Sequence, residues 1–349
     1  MNEFWILKFR LIPDSLGPNT PVREIVRSSL IFFVLVALQP LLICNVSAAE
    51  RTKPILIGVL TDSWGPTPGV VGLRDGLKER GYRENQDFVI GVRFTQGDVT
   101  ALPQAARVLV EQGIDILFTN NPAPAKAAQM ATNRIPIVFY GAGDPVGLGL
   151  IKSFAHPGGN ITGVTDLDLE LDGKRLEIFT EMLPGLTRVL FPYDPSEAFS
   201  VAEAKIYRES AHRLKITLIE KTVATQKEAQ ATFDVIKKNE VHGIVVPRSL
   251  SFNIPGLALE ITSRQRIPTM FFGGWYAEQG GLAGYGPDFY QSGQQAARLV
   301  DKILKGTNPR EIPVEVNNNI EFVVNLKVAT ALGIRIVPEV LYRATRVIR

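Results

Sequence analysis

The sequence predicts an α/β protein with two lobes, each built on a parallel sheet. From Pro54 onward, short apolar runs alternate with amphipathic segments, which is typical of buried strands joined by crossover helices. This strand–helix series occurs twice, and the two copies end in similar runs, "RIPIVF" at Arg134–Phe139 and "RIPTMF" at Arg266–Phe271. The chain of 349 residues is long enough for about two domains.

The first lobe is predicted to begin with the apolar strand "PILIGVL" at Pro54–Leu60. A helix follows at Gly69–Gly81, and glycine is the residue type that commonly ends helices. The later elements of this series are predicted, in chain order, at strand Asp87–Phe94, helix Ala101–Gly113, strand Ile114–Asn120, helix Ala123–Thr132 and strand Ile135–Gly141. Because such connections are right-handed, we expect a parallel sheet with helices on both faces.

The second lobe is predicted to repeat this order after a strand in "NITGVT" at Asn160–Thr165. Its helices are predicted at Glu170–Leu183, Ser196–Leu214, Lys227–Asn239 and Ile254–Arg264, and its strands at Arg188–Pro195, Lys215–Val223, Gly243–Pro247 and Ile267–Gly273. A helix at Tyr290–Gly306 and a strand at Asn319–Leu326 come later. We predict a first lobe of residues 54–165 plus 273–308, a second lobe of residues 166–272 plus 309–349, and a hinge between them.

The first 49 residues predict an export signal. Arg23 and Arg27 precede the apolar block Leu30–Cys44, and the small residues of "NVSAAE" follow it, which is the order of regions in a cleavable signal peptide. The block is shorter than the roughly 20 apolar residues of a membrane-spanning helix. We expect this leader to be removed and the protein to be periplasmic, with lipid attachment at Cys44 as the alternative.

Composition and motifs exclude several function classes. The formal net charge is +3 without a Lys/Arg run, so no nucleic-acid partner is expected. Cys44 is the single cysteine, and no G-x-S-x-G, H-E-x-x-H or P-loop motif occurs. The carboxylates of one connector segment are expected to be solvated, and these are Asp166, Asp168, Glu170 and Asp172. We therefore predict that the protein is not an enzyme and has no catalytic residues, no metal site and no cofactor.

Polar loops follow most of the predicted strands, at the place where open α/β sheets bind ligands. Asp144 and Asp194 lie in two of these loops, and either carboxylate is suited to an ammonium group. Aromatic side chains that can stack on a ring are present in or near these loops at Trp64, Tyr193, Phe252, Trp275 and Tyr276. A free amino acid fits this combination. The alternative for Asp144 is a structural role, because Asp-Pro is typical of a helix N-cap followed by proline.

Two long segments resemble one known family. They are "IPIVFYGAGDPVGLGLIKSFAHPGGNITGV" at Ile135–Val164 and the stretch that begins "GGLAGYGPDFYQSGQQAARLV" at Gly280 and continues to Ile334. Both are similar to segments of the ABC-transporter substrate-binding proteins of the tryptophan/tyrosine type, and the resemblance extends from about Ile55 to Ile348. It implies the type I periplasmic-binding-protein fold, in which three crossovers join two Rossmann-like lobes around a ligand site.

The resemblance also implies which loops bind the ligand. The residues expected to do so are Asp62, Ser63, Trp64, Thr119, Asn120, Asn121, Pro122, Ala123, Asp144, Pro145, Val146, Tyr193, Asp194, Ser249, Phe252, Asn253, Trp275 and Tyr276. Two loops depart from the family pattern. "LFPYDP" replaces an apolar strand that ends in Asn-Pro, and "TNNPAP" replaces a Thr-Pro-Ala loop. Both departures affect specificity and leave the fold unchanged.

The expected function is capture of a small, amino-acid-like solute by the binding component of an ABC importer. We expect a monomer that closes around its ligand and delivers it to an ABC permease. The run "GAGDPVGLG" at Gly141–Gly149 is predicted to start a helix that faces the cleft. The alternative, from another class, is a ligand-sensing binding protein that reports to a membrane signalling receptor.

Overall fold

The structure is a computed structural model that describes residues 53–63, 65–166, 168–251 and 255–349. The predicted leader with Cys44 lies outside these residues, and so do Trp64, Phe252 and Asn253 of the predicted ligand-binding set. Residues Arg51–Arg349 form one compact unit. Within the described part of the chain, no helix combines the length and the apolar character that a membrane span requires.

Strands and helices alternate along most of the chain. The strands are β1 (Ile55–Thr61), β2 (Phe88–Phe94), β3 (Ile116–Asn120), β4 (Ile137–Tyr140), β5 (Ile161–Asp166), β6 (Arg188–Tyr193), β7 (Thr217–Thr222), β8 (Gly243–Val246), β9 (Thr269–Phe271), β10 (Ala283–Pro287), β11 (Glu315–Asn317), β12 (Ile320–Asn325) and β13 (Arg346–Ile348). The helices are α1 (Pro68–Glu79), α2 (Leu102–Glu111), α3 (Pro122–Ala131), α4 (Asp168–Met182), α5 (Ala198–Leu214), α6 (Gln226–Asp234), α7 (Arg248–Ser251), α8 (Pro255–Arg264), α9 (Trp275–Glu278), α10 (Phe289–Leu304), α11 (Leu326–Leu332) and α12 (Pro338–Arg343).

The sheet of the first lobe has the strand order β11-β5-β4-β3-β1-β2, and its adjacent pairs are parallel. Its central strands β3 and β4 are buried throughout, as expected for a parallel sheet covered by helices. Helices α1 and α10 pack side by side. Gly72 and Gly293 permit this contact, because a Cβ at either position would lie 2.0 Å from a backbone oxygen of the other helix.

The sheet of the second lobe has the order β13-β12-β10-β9-β8-β6-β7. Its pairs are parallel except for β10 and β12, which are antiparallel. Phe179, Phe191 and Tyr207 are fully buried in its core. Apolar side chains from α4, α5 and the inner strands therefore form a core that belongs to this lobe.

The chain passes between the two sheets after β5, after β10 and after β11. The helix that follows β5, α4, packs on α5 and β10 of the second lobe, and α10 packs on β4 and β5 of the first lobe. This topology confirms the predicted α/β fold with two parallel-sheet lobes and three crossovers.

The strand pairing differs from the predicted lobe boundaries at two places. β10 lies in the segment 273–308 that we assigned to the first lobe, but it pairs with β9 and β12 in the second. β11 lies in the segment 309–349 that we assigned to the second lobe, but it pairs with β5 in the first. β10 was not predicted because its sequence, "AGYGP", contains glycine and proline, which are depleted in strands. β11 has three residues, too few for a recognisable alternation.

Candidate functional site

Side chains from both lobes meet at the carboxyl ends of the strands. The contributing loops follow β1, β3, β4 and β5 in the first lobe, and β8 and β9 in the second. We call this group the inter-lobe site, and its members are Asp62, Asn120, Asn121, Tyr140, Asp166, Arg248 and Tyr276. Open α/β sheets bind ligands at this edge, because polar loops and helix N-termini converge there.

Arg248 reaches from the second lobe to the first. It begins α7 shortly after β8, and only 2% of its surface is exposed. Its Nη1 donates to Asp166 Oδ1 at the end of β5 over 2.9 Å, and its Nη2 donates to Asn121 Oδ1 over 3.3 Å. Nη2 also donates to the carbonyl oxygen of Gly141, directly after β4. One guanidinium therefore contacts three strand ends of the first lobe.

Three phenylalanine rings surround the guanidinium of Arg248. Its Cζ lies 5.9 Å from the ring centre of Phe199, 5.8 Å from that of Phe272 and 5.3 Å from that of Phe289. Cation–π contacts at such distances are worth about 2 kcal/mol when the groups are desolvated. All three rings are buried, so the attraction between Arg248 and Asp166 acts in a surrounding of low polarity, where charges interact more strongly than in water.

Asp62 follows β1, and its carboxyl group is buried. Its Oδ1 accepts hydrogen bonds from Asn120 Nδ2 at 3.4 Å and from Asn121 Nδ2 at 3.3 Å. Among the described residues, no basic side chain forms an ion pair with Asp62 within 4.0 Å. Burial raises the pKa of Asp62 from its ordinary 3.8 to about 6, although the amides and the charge of Arg248 act in the opposite direction. Asp62 is thus a buried acid whose side-chain partners are neutral.

Asn121 connects the acid and the base of the site. Its Nδ2 donates to Asp62, and its Oδ1 accepts from Arg248. Its backbone has φ 51° and ψ 166°, a conformation that glycine adopts easily and that costs other residues about 1–3 kcal/mol. The N–H of Asn121 donates to the carbonyl oxygen of Tyr140. Neighbouring contacts therefore hold this residue in a strained geometry that presents its amide to both charged groups.

Two buried phenols line the site. The hydroxyl of Tyr140 lies 2.6 Å from Thr67 Oγ1, and the ring of Tyr140 stacks on Phe118 with 5.3 Å between centres. Tyr276 stacks on Phe271 with 4.8 Å between centres. Burial raises the pKa of both hydroxyl groups, so both phenols are neutral at physiological pH. They add apolar faces to a site that also contains charged groups.

The structure brings several predicted ligand-binding residues together at the strand ends of the first lobe. The buried polar ones are Asp62, Ser63, Thr119, Asn120 and Asn121. Within the described part of the chain, Thr119 Oγ1 and Asn120 Oδ1 make no hydrogen bond. Pro122 begins α3, and Ala123 is exposed in the first turn of that helix. The end of β3 therefore presents two buried acceptor atoms that a ligand donor can satisfy.

The loop after β4 differs from its prediction. We predicted a helix start at Asp144–Pro145, whereas residues 145–149 form turns. Asp144 is exposed, and its Oδ1 accepts from the N–H of Gly147 at 2.8 Å. Pro145 is buried and Val146 is exposed. Gly149, with a φ of +66°, bends the chain away from a helical path, so Asp144 caps a turn rather than a helix.

The predicted residues of the second lobe occupy different surroundings. Tyr193 ends β6 and lies under the Arg208 guanidinium, whose Cζ is 5.6 Å from the ring centre. Asp194 accepts hydrogen bonds from the N–H and the hydroxyl of Ser196 at 2.8 and 2.6 Å. Ser249 lies in α7 next to Arg248. The carboxylate of Asp194 is thus held within its own turn, whereas α7 belongs to the inter-lobe site.

A groove of about 940 Å³ lies beside the connections between the lobes. The residues that line it include Pro66, Pro68, Trp275, Asp288, Asn319, Glu321 and Arg346. Trp275 is partly buried here, 5.0 Å from the ring centre of Tyr276. Glu321 accepts from the N–H of Gly274 at 2.9 Å. Burial and the charge of Asp288 raise the pKa of Glu321 to about 7.

Sequence reasoning did not identify Arg248 and was wrong about Asp166 and Asp172. The loop "PRSLSFN" was recognised as a strand end, but a single arginine in it carries no motif. Asp166 and Asp172 were expected to be solvated, whereas both are buried and pair with Arg248 and Arg175 respectively. The available signal for Asp166 was its position at the end of an apolar strand. In the described residues, no cluster of three or more His, Cys, Asp or Glu side chains is placed to hold a metal ion.

Known proteins resemble this chain over most of its length. A relative named "Tyrosine-binding protein" from Clostridioides difficile (strain R20291) is 26% identical over 288 residues, which are 82% of this chain and 83% of the relative. The crystal structure of a conserved domain protein from Vibrio cholerae is 31% identical, with a TM-score of 0.74, and covers 84% of this chain and 100% of its own. An ABC domain from Streptococcus pneumonia, solved in complex with L-Trp, is 27% identical, with a TM-score of 0.73 and coverages of 85% and 100%.

The family match has the same extent. Residues 59–348 match the family described as ABC transporter substrate binding protein. This is a family of binding proteins and not of enzymes, as the absence of catalytic motifs predicted. The resemblance stated from the sequence is thereby confirmed over nearly all of the described chain, and the protein belongs to the ABC transporter substrate binding protein family.

Proposed function

We propose that this protein captures an aromatic α-amino acid in the inter-lobe site and delivers it to an ABC permease for import. The relative named for tyrosine and the neighbour solved with L-Trp support an aromatic ligand. Export through residues 1–49, action in the periplasm as a monomer, and hand-over to a permease belong to the same proposal. The leader pattern and the family membership support it.

The observation that carries the proposal is the buried carboxyl group of Asp62. Its side-chain partners are the neutral amides of Asn120 and Asn121, at 3.4 and 3.3 Å. A buried carboxylate without an ion-pair partner is costly, and an ammonium group supplied by the ligand reduces that cost. The α-ammonium of an amino acid is the group that fits, and the buried acceptor atoms of Thr119 and Asn120 lie at the adjacent strand end.

The net charge of the surroundings also favours a cationic group. Asp62 and Asp166 lie in the first lobe, and Glu203 accepts from the N–H of Arg248 at 2.8 Å in the second. When ionised, these three carboxylates outweigh the single positive charge of Arg248. Tyr140, Tyr276 and the phenylalanine rings supply flat apolar faces, which suit an aromatic side chain. The proposed ligand therefore has a positively charged group that lies near Asp62 and an aromatic ring that packs against these faces.

Binding measurements with matched ligands test this proposal. We expect calorimetry to show that L-Tyr or L-Trp binds the protein at least about tenfold more tightly than the same molecule without its amino group, a difference of about 1.4 kcal/mol. Asp62→Asn should remove most of this preference, because the neutral amide offers no charge to an ammonium group. Equal affinities of the amino acids and the deaminated analogues for the wild-type protein would contradict the proposal.

Transport and location need a separate experiment. We expect deletion of the gene to abolish uptake of the labelled amino acid by intact cells, and the full chain, but not a chain that lacks residues 1–49, to restore uptake. The shortened chain should remain in the cytoplasmic fraction. Normal uptake in the deletion strain, in a cell with no second importer for this solute, would contradict the import role.

A further inference from the structure

We propose that Arg248 is a positioning residue that latches the two lobes together, with Asp166 as its partner, and that this latch sets how often the empty protein closes. The inference goes beyond the proposed function, since it concerns the protein without ligand and holds for any solute. It rests on contacts that start in one lobe and end in the other.

The base of the Arg248 side chain is fixed to the second lobe. The backbone N–H of Arg248 donates to Glu203 Oε1 on α5 at 2.8 Å, and Glu203 is fully buried. The rings of Phe199 and Phe272, also in the second lobe, have their centres 5.9 and 5.8 Å from the Cζ of Arg248. The guanidinium is therefore carried along when the second lobe moves.

The tip of the side chain is bound to the first lobe. Asp166 Oδ1 lies 2.9 Å from Nη1, and Nη2 contacts Asn121 Oδ1 and the carbonyl oxygen of Gly141. Asn121 and Gly141 come directly after β3 and β4, and Asp166 is the last residue of β5. These three are adjacent strands of one sheet. Opening of the lobes would separate the guanidinium from all three acceptors at once. The planar guanidinium with its several donors suits this task, whereas a lysine ammonium cannot reach three acceptors in the same geometry.

The position of Asp166 makes the contact sensitive to lobe movement. Asp166 is the last residue of β5, after which the chain crosses to the second lobe for the first time. Its side chain is fully buried, and that of Arg248 is 3% exposed. In an open form water would solvate both charges, so the gain on closing is offset by their desolvation. A latch of this kind is reversible, which a protein that must release its ligand requires.

The balance between the attraction of Arg248 to Asp166 and the desolvation of both charges predicts the effect of substitutions at these two positions. Removing one member of the pair leaves the other charge to be buried without this partner on closing, which disfavours the closed form strongly. Removing both members avoids that cost, so the double variant should close more readily than either single variant. A residue that only supported folding of its own lobe would not show this dependence on a partner in the other lobe.

Single-molecule energy transfer between the lobes tests the latch without any ligand. The full chain with Cys44→Ser contains no other cysteine, and dyes can be attached at Met130→Cys on α3 and Val235→Cys after α6. These two positions are 74% and 69% exposed and lie in different lobes. We expect Arg248→Gln and Asp166→Asn each to reduce the closed-to-open ratio at least about tenfold, and the double variant to recover part of that loss.

Two further variants complete the experiment. Arg248→Lys keeps the charge and should give an intermediate ratio. Arg208→Gln is the matched control, because Arg208 pairs with Glu220 within the second lobe, and it should leave the ratio unchanged. If Arg248→Gln lowers the melting temperature but leaves the closed-to-open ratio as in the wild type, Arg248 supports its lobe only and the latch is rejected. A double variant as open as Asp166→Asn alone would also reject it.

The outcome is independent of the identity of the solute. Failure of L-Tyr and L-Trp to bind would contradict the proposed function and leave the energy-transfer result standing. An unchanged closed-to-open ratio in Arg248→Gln would contradict the latch, whichever amino acid binds. If the latch operates, a variant that weakens it has a smaller closed population. Its affinity for any ligand that needs the closed form then falls by the same factor as that population.

Discussion

The side-chain amide of Asn121 donates to Asp62 at 3.3 Å, and the oxygen of the same amide accepts from Arg248 in the other lobe at 3.3 Å. One neutral group thus lies between the buried acid that we assign to the ligand ammonium and the base that we assign to the latch. A change at either charged group can reach the other through this amide, which belongs to a residue with a positive φ of 51°.

Substitution of Asn121 separates the strain from the hydrogen bonds. Asn121→Ala removes both bonds and keeps the unfavourable backbone, so we expect it to lower the free energy of unfolding by about 1–3 kcal/mol. Asn121→Gly also removes the bonds but relieves strain of about 1–3 kcal/mol. Urea unfolding should therefore show the glycine variant to be the more stable of the two, even after the roughly 0.5–1 kcal/mol that glycine costs through the unfolded chain. A glycine variant that is less stable than the alanine variant by about 0.5–1 kcal/mol would show that the backbone is not strained.

The raised pKa of Asp62 predicts that stability falls as the pH rises from about 4 to about 6. In this range the folded protein retains a proton that the unfolded chain, with an ordinary pKa of 3.8, has released, so the free energy of unfolding decreases with pH. A shift of about two pKa units corresponds to about 3 kcal/mol once the pH exceeds 6. We expect Asp62→Asn to be more stable than the wild type at pH 7 and to lose this advantage near pH 4.

Urea titrations of the wild type and Asp62→Asn at several pH values check this. Glu321 is present in both proteins, so the difference between the two curves isolates Asp62. A constant difference between pH 4 and pH 7 would show that the Asp62 carboxyl titrates at its ordinary pKa. Because the proposed ligand ammonium pairs with the ionised form, amino-acid binding should weaken as the pH falls below about 6.

The raised pKa of Glu321 predicts a second effect of pH on the free energy of unfolding, at higher pH than the effect of Asp62. Glu321 faces the charges of Asp288, Glu278 and Arg346, and its pKa is raised from 4.5 to about 7, first by burial and then by Asp288. Between about pH 6 and 7 its ionisation should lower the free energy of unfolding by about 1 kcal/mol. Glu321→Gln retains an oxygen that can accept from the Gly274 N–H and should remove this decrease. The same slope in the variant would assign the effect to another group.

Much of the fold was predictable because the pattern of apolar residues along the sequence follows the burial of those residues in strands and helices. The strands β1, β3 and β4 are continuous apolar runs, and they end at the polar residues that the sequence identified, including Asp62 and Asn120. β10 was not predictable from its composition, since its two glycines are needed for close backbone contacts. A Cβ at Gly286, for example, would lie 1.7 Å from the carbonyl oxygen of Phe272.

The inter-lobe pair was beyond the reach of sequence reasoning for a different reason. Asp166 and Arg248 are 82 residues apart and lie in different lobes. Neither residue type in its local context differs from a surface residue, since aspartate and arginine are mostly exposed in proteins. Only the packing of the two lobes brings them together. The same holds for Phe199 and Phe289, whose rings meet at Arg248.

The loop after β4 offers a test of the proposed closure, because it contains both Gly143 and a control position, Gly149. Gly143 and Gly149 both have a φ of +66°, so alanine at either position should cost about 1–2 kcal/mol of backbone strain. A Cβ at Gly143 would lie 2.7 Å from the Phe199 ring in the second lobe, whereas a Cβ at Gly149 would meet nothing within 4 Å. We therefore expect Gly143→Ala to weaken amino-acid binding about tenfold, or about 1.4 kcal/mol, and Gly149→Ala to leave binding unchanged.

Substitution of Phe199 tests whether the loss of affinity in Gly143→Ala comes from a contact between the lobes. Combining Gly143→Ala with Phe199→Leu replaces the ring by a smaller side chain, and calorimetry should then show that part of the affinity returns while the backbone strain, measured by urea unfolding, persists. If Gly143→Ala and Gly149→Ala weaken binding equally, the loss comes from the loop backbone and not from contact with the second lobe. Because Phe199 lies 5.9 Å from the Arg248 Cζ, recovery of affinity in the double variant would connect the turn after β4 to the same closed arrangement that the latch maintains.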